Sequence, residues 1–203
     1  MATSGQKQHV EIYRKIMLRR RLMKAVPPGA AFVPFIGDGD IAAELYHDRV
    51  IWGADLDAER VAKANNRLPG NNIIVGDCDG WPFPPEQTPP TFAIADFDAY
   101  CNPYKGIDAF LQHATLTHPA CIIGTDGMKQ DISRNKLEYG DLIKPSKPSE
   151  KEWRRQYNMW FPKYVLPWLT ARLDKYVIRR KMFYQRGKMI YWGLLIEHKA
   201  IQV

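Results

Sequence analysis

Ala31-Phe32-Val33-Pro34-Phe35-Ile36-Gly37-Asp38-Gly39-Asp40 decides how the rest of the chain is read. A short apolar run without alternation reads as a strand covered on both faces. It empties into two closely spaced glycines, which let the backbone turn sharply and approach a ligand. A further glycine at 42 would complete a dinucleotide fingerprint, but Ala42 stands there, so the turn does not call for a pyrophosphate. Downstream, apolar runs and helical patterns alternate as in an open α/β sheet. Val50–Ala54, Ile73–Val75, Phe92–Ala95 and Cys121–Gly124 are expected as strands two to five. Ile41–Tyr46, Ala58–Leu68 and Gly106–His113 are the expected helices between them.

Two acidic loops repeat the pattern of the first. Strand two ends in Gly53-Ala54-Asp55-Leu56-Asp57, where a carboxylate can accept from both ribose hydroxyls of a nucleoside. Asp55 is the first choice, and Asp57 is better placed to cap the following helix. Strand three ends in Gly76-Asp77-Cys78-Asp79. Asp77 can accept from an adenine amine while the adjacent backbone N–H meets a ring nitrogen. Each acid alone could be a cap or turn residue. Together they sit at the carboxyl edge of the sheet, where open α/β folds bind ligands.

Strand four delivers Asp96-Phe97-Asp98-Ala99-Tyr100-Cys101-Asn102-Pro103-Tyr104 to the same edge. An exocyclic amine on a nucleobase is a poor nucleophile because its lone pair is delocalised. A carboxylate accepting its hydrogens makes that lone pair more available, and an aromatic ring can stack on the base. Asp98 and Tyr100 are the candidate catalytic pair. Trp81 and Tyr104, with Arg154 and Arg155, are candidates for holding the acceptor. Arg179 and Lys181 are expected on one strand face, with Arg180 on the other.

The series FIGDGDIA, GADLDAERVAKA, GDCDGWPF and ADFDAY resembles motifs I to IV of the class I SAM-dependent methyltransferases over about residues 30–130. The terminal stretches Tyr176–Gln185 and Met189–His198 read as a hairpin, the usual ending of that family's sheet. The resemblance implies a Rossmann-like α/β fold: a mostly parallel seven-stranded sheet, helices on both faces and a C-terminal antiparallel hairpin. It also implies S-adenosyl-L-methionine as cofactor, contacted by Gly37, Asp38, Gly39, Asp55, Asp77 and Cys78. Pro34-Phe35 replaces the acid that usually meets the methionine ammonium, so Asp38 or Asp96 is expected to substitute. The loop from Asp96 is similar to the D-x-D-P-[FY]-G-S-P loop of tRNA dimethylguanosine methyltransferases, with Asp96, Asp98, Tyr100 and Pro103 in register. Ile123-Gly124-Thr125-Asp126-Gly127-Met128 also resembles that family's stretch after strand five.

Charge points to the acceptor. Residues 1–24 carry seven Lys/Arg against one acid and residues 151–203 twelve against three, whereas residues 25–150 are acidic. Basic ends suit a phosphate backbone, as they also suit solvated surface helices. Residues 1–29 are expected as a basic helical extension, with Ile12, Ile16 and Met23 sharing an apolar face and Lys7, Arg14 and Arg21 recurring on another. Residues 30–203 form the expected methyltransferase domain, 129–150 a loop or lid, and Trp153–Leu173 a helix broken or kinked at Pro162 and Pro167. Three cysteines without metal-ligand spacing fit a reducing cytoplasm, and no metal is expected. No run approaches the roughly 18 apolar residues that span a bilayer.

The leading expectation is a methyltransferase acting on an exocyclic amine of a nucleobase in RNA or DNA. A small-molecule methyltransferase and an inactive nucleic-acid-binding subunit of the same fold are the alternatives.

Overall fold

The computed structural model describes residues 4–99, 102–127, 159, 161–186 and 189–199, with side chains from 12 onward. Strand β1 (Ala30–Pro34) is buried along its whole length, as its unbroken apolar sequence requires. Ala30 and Phe32 enter one core cluster, and Ala31 and Val33 enter the other, on the opposite face. Around β1 run β2 (Ile51–Asp55), β3 (Asn72–Val75), β4 (Thr91–Phe97), β5 (Thr115–Asp126), β6 (Tyr176–Arg186) and β7 (Met189–His198). They form a single sheet in the order β3-β2-β1-β4-β5-β7-β6. β1 to β5 pair in parallel, whereas β7 runs antiparallel to both β5 and β6. The chain leaves β1 on one side for β2 and β3, then returns to its other side for β4. That reversal opens a crevice at the carboxyl ends of β1 and β4.

Helices α1 (Ser4–Met23), α2 (Asp40–Leu45) and α3 (Ala58–Arg67) supply side chains to the cluster on one face. α4 (Tyr104–His113), a π-helical turn (Phe161–Val165) and α5 (Leu166–Arg172) supply the other. Asp57 caps α3 as expected, its carboxylate accepting from the backbone N–H groups of Glu59 and Arg60. The long helix expected over Trp153–Leu173 is narrower where it is described. Pro162 lies in the π-helical turn, and Pro167 falls in the first turn of α5, where a missing N–H breaks no bond. β5 starts at Thr115, six residues before the expected strand, as the outer partner of Thr91. The expected lid at 129–150 lies outside the described residues.

α1 buries the face expected of it only in part, with Ile16 and Met23 at the margin of the core. Ile12 is 43% exposed, and Ile16 and Met23 are only partly covered, whereas Leu18 and Leu22 lie in the core. The reason is across the interface: Gly193 on β7 leaves a recess in which a Cβ would come within 2.3 Å of Leu22 Cδ1. Lys15, Leu18, Arg19 and Leu22 therefore form the inward face, at spacings of three and four residues. Two of those four are cations. Their destinations define the site.

Candidate functional site at the carboxyl edge of the sheet

The turn after β1 is built from left-handed backbone. Gly37 has φ 57° and Gly39 φ 81°, a conformation that suits glycine. A Cβ at Gly39 would also lie 3.2 Å from Ala64 on α3, closer than ordinary van der Waals contact. Phe35, a non-glycine residue at φ 61°, is tied down by its backbone N–H, which donates to Cys78 Sγ at 3.3 Å. The Cys78 thiol is buried, and burial pushes it up to about 11, so it stays protonated at neutral pH. Of Cys78, only the backbone is left to meet a ligand.

Asp55 faces this turn. Its Oδ2 accepts from the Gly37 N–H at 3.0 Å and its Oδ1 from the Asp57 N–H at 3.0 Å. Each oxygen has a second lone pair, so the half-buried carboxylate can take two further donors. Asp77 is exposed at the tip of β3, its Oδ1 accepting from the Asp79 N–H at 2.9 Å. Asp38 is 3.8 Å from Lys63, in a pair more than a third exposed on both sides. Gly37, Asp38, Gly39, Asp55, Asp77 and Cys78 thus cluster around three adjacent strand tips.

β4 brings two acids to the same edge, and the structure separates their roles. Asp96 is fully buried and enclosed. Arg19 grips it at both ends, Nε to Oδ2 at 2.6 Å and Nη2 to Oδ1 at 2.8 Å, and the Tyr46 hydroxyl donates to Oδ2 at 2.7 Å. The expectation that Asp96 meets the cofactor's ammonium is therefore corrected: its carboxylate is consumed by a buried guanidinium. Asp98, two residues on, has a 14% exposed side chain. Lys15 Nζ donates to its two oxygens at 2.8 and 3.0 Å, and the Thr125 hydroxyl donates to Oδ1. Burial works to raise the Asp98 pKa, but Arg19, Lys15 and the hydrogen bonds from Lys15 and Thr125 outweigh it. The carboxyl is held below its ordinary range and is an anion at neutral pH. Such a group accepts hydrogen bonds well and takes up a proton poorly.

Two expected acceptor contacts are also corrected. Trp81 stacks on Phe32, with ring centroids 5.5 Å apart and planes 8° apart, and on His113 at 5.5 Å and 9°. Its ring is packed against the core rather than offered to a ligand. Tyr104 is 2% exposed, donates its hydroxyl to Asp126 Oδ2 at 2.6 Å and meets Trp168 edge-on. It anchors the start of α4 against the end of β5. Tyr100, Arg154 and Arg155 lie outside the described residues.

Lys15, Arg19 and Tyr46 are the residues that sequence reasoning missed. The signal was present in the 15/18/19/22 spacing, but an inward face half composed of cations does not announce itself as one. Thr125 falls in the stretch already singled out after strand five.

No protein-family model matches the chain, and no curated protein matches it in sequence. Solved structures do match. Magnesium protoporphyrin IX methyltransferase (ChlM) from Synechocystis PCC 6803, with bound SAH, gives a TM-score of 0.57 at 11% identity, over 98% of this chain and 89% of that one. The plantazolicin methyltransferase BpumL, in complex with a pentazolic desmethylPZN analog and SAH, gives 0.56 at 10% identity, over 93% and 84%. TrmN from Thermus thermophilus gives 0.50 at 16% identity, over 91% of this chain and 48% of that one. The fold is that of the Rossmann-like methyltransferases. At these identities the likeness is one of architecture, and open α/β sheets in general bind ligands at a crevice of the kind just described. Among the described residues, no helix of this methyltransferase fold is long and apolar enough to cross a membrane.

Proposed function

We propose that the chain is a SAM-dependent methyltransferase that modifies an exocyclic amine of a nucleobase in RNA or DNA. The observation that carries the reading is the separation of the two β4 acids. Asp96 is spent on Arg19, while Asp98 is kept anionic and partly open between Lys15 and Thr125. The SAH in the ChlM and BpumL structures, the product left by SAM after transfer, supports the choice of cofactor.

The residues present fit that group at its adenosine end. Asp55 retains a lone pair on each oxygen for the two ribose hydroxyls, and Asp77 with the Cys78 N–H suits the adenine edge. The turn of Gly37 and Gly39 gives the methionine portion a close backbone approach, with Asp38 as the remaining carboxylate for its ammonium. When bound, the cofactor supplies an electrophilic methyl group on a sulfonium.

The protein's part is to position the acceptor nitrogen in line and make its lone pair available. Asp98 does the second by accepting a hydrogen bond from the amine, whose proton passes to solvent once the methyl group has moved from sulfur to nitrogen. Lys15 now occupies both of its oxygens, so the arriving amine shares or displaces that ammonium. Lys15 also lies over the Tyr191 ring, 5.4 Å from its centroid, a position from which it can move aside and keep a favourable contact. Tyr100, two residues beyond Asp98, is the proposed stacking partner of the base.

Mass spectrometry of nucleosides from RNA and DNA incubated with the protein and SAM tests the acceptor. An N-methylated base in one of the two is expected. Methyl groups appearing only in the low-molecular-weight fraction of a cell extract would instead assign a small-molecule acceptor.

A further inference from the structure

Arg14 and Arg21, seven residues apart on α1, face an open groove rather than bulk solvent alone. Arg14 and Arg21 line a cavity of about 680 Å³ between α1 and the edge strand β6, opposite Lys181 and Tyr184 and beside the exposed rings of Tyr13 and Phe183. Among the described residues that line it, none carries a carboxylate. Arg14, Arg21 and Lys181 have no acidic partner among the described residues either, so their charge is available to a ligand. Tyr184 lines the same space with its ring, while its hydroxyl is buried away from the groove.

A relay of side-chain contacts joins the groove to the candidate site. Tyr184 stacks on Tyr191 at 4.8 Å, Lys15 lies over Tyr191, and Lys15 holds Asp98. We propose that the groove between α1 and β6 binds a single-stranded segment of the nucleic acid, with Arg14, Arg21 and Lys181 along its phosphates and Tyr13 under a base. The same strand then leads its target base to Asp98. Alternating cations and accessible rings are how single strands are held without sequence readout. Seven residues of helix set Arg14 and Arg21 about 10 Å apart, so they engage different phosphates. The assignment of a polynucleotide rests on the function proposed above; the groove's charge and open rings do not.

The test is fluorescence anisotropy of the full chain with labelled single-stranded oligoribonucleotides and oligodeoxyribonucleotides of about 12 residues, across a salt series. Each phosphate contact contributes about −0.7 to the logarithmic salt slope on a single strand. The double variant Arg14→Ala/Arg21→Ala should bind about tenfold more weakly at 0.1 M salt, with a slope shallower by about 1.4. Tyr13→Ala should weaken binding at least about fivefold and leave the slope unchanged, because it removes stacking and no charge. Both sites are exposed, and an unchanged melting temperature shows that the fold is kept.

Wild-type affinity and slope in the double variant would overturn the groove. Equal competition by polyglutamate of matched charge, together with a silent Tyr13→Ala, would reduce it to a general anion surface and overturn the polynucleotide. The two readings fail separately. A methylated base with a silent double variant removes the groove alone. Oligonucleotide binding that obeys the variants, with methyl groups found only on small molecules, removes the proposed acceptor alone.

Discussion

Asp98→Ala is expected to lower methyl transfer by about 100-fold or more, while SAM binds nearly as before. The magnitude is that of a positioned group acting on a reacting proton. The selectivity follows from the geometry: the proposed adenosine contacts come from the tips of β1, β2 and β3, whereas Asp98 lies just past the end of β4, held by Lys15. Because the wild-type carboxyl is held below its ordinary range, it is already ionised well below pH 5. Its titration therefore contributes no acidic limb to the rate between pH 5 and 8, and a limb in that window must come from another group. Single-turnover rates across that range, with SAM affinity measured in parallel, check both points. Normal turnover by Asp98→Ala would remove Asp98 from the chemistry.

Arg19→Met should be the most destabilising single change in the candidate site. Arg19 and Asp96 are each 1% exposed or less and joined by two short hydrogen bonds, and Tyr46 closes the third side. Removing one partner of a buried pair leaves an uncompensated charge, at a cost of about 3–5 kcal/mol. For a chain of this size that lowers the melting temperature by about 10 °C. The paired variant Arg19→Met/Asp96→Leu should recover much of the loss, since replacing both charges with apolar groups of similar volume is often close to neutral. Urea unfolding of the two variants and the wild type measures the coupling. Equal stability of all three would show that the pair is solvated and that α1 is not held to β4 through it.

These two acids also mark where the sequence was legible and where it was not. Apolar runs ending in Gly37, Asp55 and Gly76-Asp77 announce strands and their tips, because burial on both faces and sharp turns each demand particular residue types. Asp57 could be assigned to the cap of α3 for the same local reason. Asp96 and Asp98 look alike in sequence, and what distinguishes them arrives from a helix about eighty residues away. Nothing local says that Arg19 is an inward residue; that depends on the recess at Gly193, on the opposite end of the chain. Trp81 and Tyr104 fail for a related reason. An aromatic residue near a pocket loop can face the ligand or the core, and Phe32, His113 and Asp126 decide it only once the chain is folded.

The heptad of cations on α1 gives the converse lesson. Its spacing was evident, but its meaning waited on β6, which comes some 160 residues later and supplies the other wall of the groove.

Cofactor binding in this chain requires three strand tips to form one adenosine-sized cradle. Calorimetric titration of SAM into the wild type and into Asp55→Ala tests it directly. Saturable one-to-one binding is predicted for the wild type, weakened about tenfold or more in the variant, as befits loss of hydrogen bonds to a charged acceptor. Absence of wild-type binding at millimolar SAM, or affinity indifferent to Asp55, would contradict it.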